Sequence, residues 1–123
     1  MSPLFLLFFL PQSIHAQHSV AREWNEATLF AIRNDLARPT VHARNLFHTS
    51  IAMYDAWAVF DDVAEPYLLG KTVDGFTCNL ENFAMPADIE AARQEALSFA
   101  AYRLMIHRFG LSRNFAQSAL RYN

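Results

Sequence analysis

The sequence predicts an all-α protein, a bundle of a few long helices. Apolar residues recur at helical spacing in three separate segments. Three glycines and five prolines leave few sharp turns for a chain of many short strands. Hydrophobic residues make up 53% and charged residues 18%, the composition of a packed globular chain rather than a disordered one. Ten Lys plus Arg stand against twelve Asp plus Glu, for a net charge of -2. Lys71 is the only lysine, so no basic stripe exists for nucleic acid, which is excluded as a partner.

The first segment, 1–16, carries the run Leu4 to Leu10 between Pro3 and Pro11. It is too short for a stable membrane span, which needs ~20 apolar residues. It fits the apolar core of a secretory signal peptide, with Gln12 to Ala16 leading to a cleaved bond after Ala16. The alternative is an apolar helix packed on the body. The signal reading predicts an exported protein, periplasmic or secreted, whose helical body is 17–123. Export permits disulfides, but Cys78 is the single cysteine and has no partner within the chain. Cys78 reads as a small buried hydrophobe, with an intermolecular bridge or a reactive thiol as alternatives. A reactive thiol needs a basic neighbour, and Phe76, Thr77, Asn79 and Leu80 supply none locally.

The first helix is expected from Val20 to about Leu36, where Trp24, Ala27, Ala31 and then Leu29, Ile32, Leu36 follow helical spacing. Glu23, Glu26 and Asp35 read as its solvated face. Pro39 disfavours helical geometry at Arg38 and suits the first turn of a second helix. That helix is expected from Pro39 or Thr40 to about Phe60, with a core stripe of Ala43, Phe47, Ser50, Tyr54 and Trp57 flanked by Leu46, Ile51 and Met53. Residues 61–87 show no sustained period and read as a long connection, either a packed flap or a segment covered by others, with Asp74-Gly75 as its best turn signal. A third helix is expected from Pro86 to Asp88 onward through Ile89, Ala92, Ala96, Phe99, Ala100 and Leu104. His107 and Arg108 suit its last turn and Gly110 its stop. Ser112 caps a fourth helix from about Arg113, whose amphipathic pattern is still running at Asn123, an indication that the helical body is incomplete.

The second helix concentrates the polar residues that could carry chemistry: His42, Arg44, Asn45, His48 and Asp55. Arg44, His48 and Asp55 share one face by their spacing. A metal site calls for histidines three or four apart, whereas His42 and His48 are six apart and point to different sides. The spacing therefore favours a hydrogen-bonded polar network that fixes how the helix packs. His107, with Arg103 one turn earlier, reads as a helix end facing its own carbonyls. No Gly-rich phosphate loop, Cys-x-x-Cys, Gly-x-Ser-x-Gly or His-Glu-x-x-His motif is present.

Several stretches resemble the amino-terminal helices of secreted bacterial proteins related to vanadium-dependent haloperoxidases. They are Trp24-Asn25-Glu26, Ala31-Ile32-Arg33-Asn34-Asp35, Arg38-Pro39-Thr40-Val41-His42-Ala43-Arg44-Asn45-Leu46-Phe47-His48, and Met53-Tyr54-Asp55-Ala56-Trp57-Ala58. Ala100-Ala101-Tyr102-Arg103-Leu104 with His107-Arg108-Phe109 resembles the next helix of that group. The resemblance implies an all-helical fold shared with type-2 phosphatidic acid phosphatases. For full-length members it implies peroxide-dependent halide oxidation on vanadate, or phosphoester hydrolysis.

The family's anion site uses Lys-x6-Arg-Pro, Pro-Ser-Gly-His and Ser-Arg-x5-His-x3-Asp segments, which lie later in its fold. Here Ala31 stands seven before Arg38, and Ala119 stands where the histidine after Ser112-Arg113 would be. No catalytic, cofactor-binding or metal residue is therefore carried over to this chain, and vanadate is expected only in a full-length relative. The implied partners are the missing carboxy-terminal half or a second copy, joined through exposed apolar helix faces. The alternative reading is a small periplasmic helical binding module without catalysis.

Overall fold

The computed structural model describes residues 18–80 and 84–110. The leader read over 1–16 and the fourth helix read from about Arg113 lie outside the described residues. Three helices form the body: α1 (Val20–Arg33), α2 (Pro39–Ala58) and α3 (Ile89–Phe109). The all-α expectation holds, with one small addition, an antiparallel hairpin of β1 (Thr72–Val73) and β2 (Phe76–Thr77). Among the described residues no helix is long and apolar enough to cross a membrane.

Each helix starts where its local chemistry can satisfy the first free N–H groups. The Ser19 side chain accepts from the Arg22 N–H at the start of α1, and Glu23 sits in the positive first turn. Pro39 opens α2 at the position where a missing N–H costs nothing. Asp88 caps α3 by accepting from Ala91 N–H at 3.0 Å.

The ends differ from expectation in two places. α1 stops at Arg33, short of Leu36, because the Asn34 side chain donates to the Phe30 carbonyl at 2.8 Å and competes with the helical ladder. Leu36 is consequently exposed. Gly110 is right-handed, with φ -58 and ψ -24, so it does not supply the left-handed stop expected of it.

The core lies between α1, α2 and α3, where alanines meet larger side chains. Ala27 and Ala31 of α1 pack on Met105 and Phe109 of α3. Met53 of α2 packs on Leu97 and Ala101 of α3, with Trp24 flanking both groups. The buried side of α2 is His42, Asn45, Thr49 and Met53, at helical spacing of three to four.

This corrects the expected core stripe. Ala43 and Ser50 are exposed, Phe47 is 56% exposed and Tyr54 44%, and Trp57 is half-buried. The reason is packing. α2 is rotated so that Met53 fills the contact with Leu97 and Ala101 of α3, which turns Asn45 and Thr49 inward and Phe47 and Tyr54 to the opposite side. Thr49 remains satisfied there by donating to the Asn45 carbonyl at 2.9 Å.

Residues 59–80, after α2, form a flap carrying the hairpin. Its turn is the expected Asp74-Gly75, with φ 51 and 79, the paired positive angles of a tight hairpin turn. Gly70 and Cys78 extend the ladder, Gly70 N–H donating to the Cys78 carbonyl at 2.7 Å. Two-residue strands, exposed on both faces, leave no alternating pattern to read from sequence.

The packing predicts an order of mutational costs that the apolar stripe alone would reverse. Phe109→Ala, at a side chain 1% exposed, should cost about 3–5 kcal/mol. Phe47→Ala should stay within about 0.5 kcal/mol. Urea unfolding of the two variants measures both, and a larger cost at Phe47 would mean that α2 packs by its apolar stripe.

Candidate functional site

The polar residues of α2 divide among different partners instead of forming one network. His42 lies on the core side, where its Nε2 is 2.8 Å from the Leu36 carbonyl and bridges back to the α1–α2 link. Its Nδ1, and the buried Asn45 Oδ1 beside it, have no hydrogen-bond partner. Arg44 is exposed. His48 and Asp55 do share a face, as their spacing implies, but each is engaged elsewhere.

His48 reaches α3. Its Nδ1 accepts from Arg108 Nη2 at 2.7 Å, which requires the neutral ring with its proton on Nε2. Burial, then the charges of Arg108 and Arg44, push its pKa below the ordinary 6.5. Asp55 is 4% exposed and takes three backbone N–H groups of the flap, from Tyr67, Leu68 and Leu69, the last two at 2.8 and 3.0 Å. The sequence offered no reason to single out these partners, because hydrogen bonds to backbone carry no side-chain signature.

A second tie holds the base of the flap. Asp61 accepts from the Val63 and Ala64 N–H groups, and Arg93 of α3 donates to the Phe60 carbonyl at 2.9 Å and to Asp61 at 3.2 Å. The Arg93 guanidinium also lies 4.8 Å over the Trp57 ring. Sequence reasoning missed Arg93; its spacing in the third helix fits a solvated face equally well.

Between α2, α3 and the flap lies an open groove of about 640 Å³. Ile51, Ala52 and Ala56 form one wall and Ala100 and Leu104 the other, while Leu68, Leu69 and Cys78 cross it at the Asp55 end. His48, Arg103 and His107 stand along it. Cys78 is half-buried here rather than in the core. The basic groups that its local sequence lacks line the α3 side of the same groove, toward its other end. Among the described residues no group of three or more His, Cys, Asp or Glu could hold a metal ion.

The fold and the groove define an all-α protein with an apolar, basic-edged cleft under a hairpin flap. The chain matches no family model, no curated protein and no solved structure.

Two outcomes follow from these contacts. Asp55→Ala should lower stability by about 2–3 kcal/mol, the scale of hydrogen bonds to a charged group. It should also speed hydrogen exchange at the Tyr67, Leu68 and Leu69 amides; unchanged protection there would mean the flap is held by something else. The His48 prediction concerns pH. Because its folded pKa is depressed, the unfolded chain binds more protons, so stability present above pH 6.5 falls as pH drops below it. Unfolding midpoints measured between pH 7.5 and about 5.5 should fall in the native chain and fall less in His48→Gln, a window above the ordinary carboxylate values.

Proposed function

We propose that this chain is the amino-terminal helical portion of an exported, vanadium-dependent haloperoxidase-like protein, and that it is a packing unit without catalysis of its own. The observation that carries the reading is the apolar surface turned outward on two helices. Phe47 and Tyr54 form one outward row on α2, and Phe99, Tyr102 and Ile106 form another on α3. Contiguous rows of this kind mark surfaces that another element covers. Further helices of a larger helical fold are the occupant that the resemblance favours, since its quoted residues fall on α1, α2 and α3.

The groove does not suit vanadate. A multiply charged oxyanion needs several converging cations and hydrogen-bond donors. This lining is mostly apolar and contributes one arginine and two histidines, one of them already engaged by Arg108. The halide or phosphoester chemistry would therefore belong to segments other than these helices. A second reading, a small helical binding module, is favoured by the groove itself, whose volume of about 640 Å³ lies inside the range of about 300–1,000 Å³ common for ligand sites.

Genomic DNA on the 3′ side of the Asn123 codon tests the first reading. A Pro-Ser-Gly-His segment followed by Ser-Arg-x5-His in any frame is the expected result, and its absence overturns the family assignment. Purified chain given orthovanadate, hydrogen peroxide and bromide should show no bromination above a vanadate-free blank. Turnover would overturn the assignment of this unit as non-catalytic.

A further inference from the structure

The groove has a direction. α2 and α3 run antiparallel, because His48 meets Arg108 at one end while Phe60 and Asp61 meet Arg93 at the other. From His48 to Asp55 the groove follows seven residues of α2, about 10 Å at 1.5 Å per residue. At the Asp55 end the flap crosses it with Leu68, Leu69 and Cys78, over walls that are alanine and aliphatic. At the other end the basic groups gather: His48 and His107 line the groove, Arg108 bonds His48, and the Arg44 charge acts on the same ring. Arg103 lines the α3 wall between them.

These cations lack acidic partners. Among the described residues the ion pairs are Arg38–Asp35, Lys71–Glu65 and Arg93–Asp61, and none involves Arg44, Arg103, His107 or Arg108. Among the described residues the one carboxylate lining the groove, Asp55, is occupied by three flap N–H groups and sits at the apolar end. Negative charge is thus fixed at one end and unpaired positive charge at the other.

We propose that this groove binds a single-chain carboxylate amphiphile of medium length, with its tail under the flap and its carboxylate against Arg103 and His107, beside the His48–Arg108 pair. A shape that is apolar along about 10 Å, cationic at one end and crossed by chain at the other matches one tail and one anionic head. It matches a helix of a protein partner less well, because the flap crosses the path such a helix would take. The outward rows of α2 and α3 are turned away from the groove, Phe47 and Tyr54 standing about 40–100° from Ile51 and Asp55 by helical rotation. The binding site is therefore independent of whatever covers those rows, and of any relation to haloperoxidases.

Decanoate is the probe, titrated into the full chain by calorimetry, with decanol and decyltrimethylammonium as controls. Cys78 supplies a second readout, since a tail under the flap should shield its thiol. Decanoate should bind at least tenfold more tightly than either control and slow the exchange of the Cys78 thiol with a disulfide reagent at least fivefold. The surface variant Arg103→Gln/His107→Gln should keep its far-ultraviolet dichroism and thermal transition while losing at least tenfold in decanoate affinity. Equal binding of decanol, an unchanged affinity in the double variant, or an unshielded Cys78 at saturating decanoate would each overturn the proposal. Binding of a Glu-rich amphipathic helical peptide by a chain that ignores decanoate would overturn it in favour of a protein partner.

Discussion

A carboxylate placed on an apolar stretch of helix must find donors or stay in water, and Asp55 finds them in the backbone of the flap. Burying an ionised carboxylate without partners is costly enough that the alternative is not to fold that way. Three consecutive N–H groups, from Tyr67, Leu68 and Leu69, converge on it. The consequence is long-range, because the partners lie 12 to 14 residues away along the chain. That single side chain turns a connection with no sustained hydrophobic period into a fixed flap, and it sets where Leu68, Leu69 and Cys78 stand against α2 and α3. Without it the groove would have walls and no end.

The helix pair beneath the flap is governed by a second constraint, the size of the side chains at the contacts. Alanines at Ala27, Ala31 and Ala101 bring α1 and α3 together, and Ala101 also meets Met53 of α2. The residues α2 turns inward are then short or able to bond locally: Thr49 to its own helix and His42 to the Leu36 carbonyl. Phe47 and Tyr54 lie on the opposite side of α2 from Asn45 and Thr49 and are turned outward, which leaves the apolar rows exposed, while Trp57 packs on the core. Exposure of Phe47 and Tyr54 is therefore the other side of the inward packing. The same rotation of α2 that buries Asn45 and Thr49 brings His48 to Arg108 and Asp55 to the flap.

How much of this was legible in the sequence depends on the range of the interaction. Helices α1, α2 and α3 were legible because their starts are local: Pro39 at the first turn, Asp88 as a cap, and apolar spacing that continues for several turns. The Asp74-Gly75 turn was legible because positive φ at two successive residues demands such a pair. The face of α2 that packs was not, since hydropathy ranks Phe47 above Thr49 and cannot register how the helix is rotated against its neighbours. The shared face of His48 and Asp55 was correctly placed, yet their partners were invisible. Arg108 is 60 residues from His48, and backbone N–H groups carry no residue identity. Cys78 illustrates the same limit: its sequence neighbours do not show that it lines the same groove as Arg103 and His107 of α3.

The basic edge of the groove follows from these two constraints acting together. Arg103, His107 and Arg108 occupy the last turns of α3, where positive charge is favoured by the carbonyl end of the helix dipole. The antiparallel pairing of α2 and α3 sets that end beside His48 and Arg44. Like charges gathered in this way repel, and the depressed basicity of His48 is one sign of it, after burial. Holding His48 neutral relieves part of the repulsion and lets its Nδ1 accept from Arg108. A carboxylate arriving at this end would relieve the remainder, with no acidic side chain to displace, since the groove's own carboxylate is already committed to the flap. The interaction that fixes the flap therefore also leaves the opposite end of the groove uncompensated.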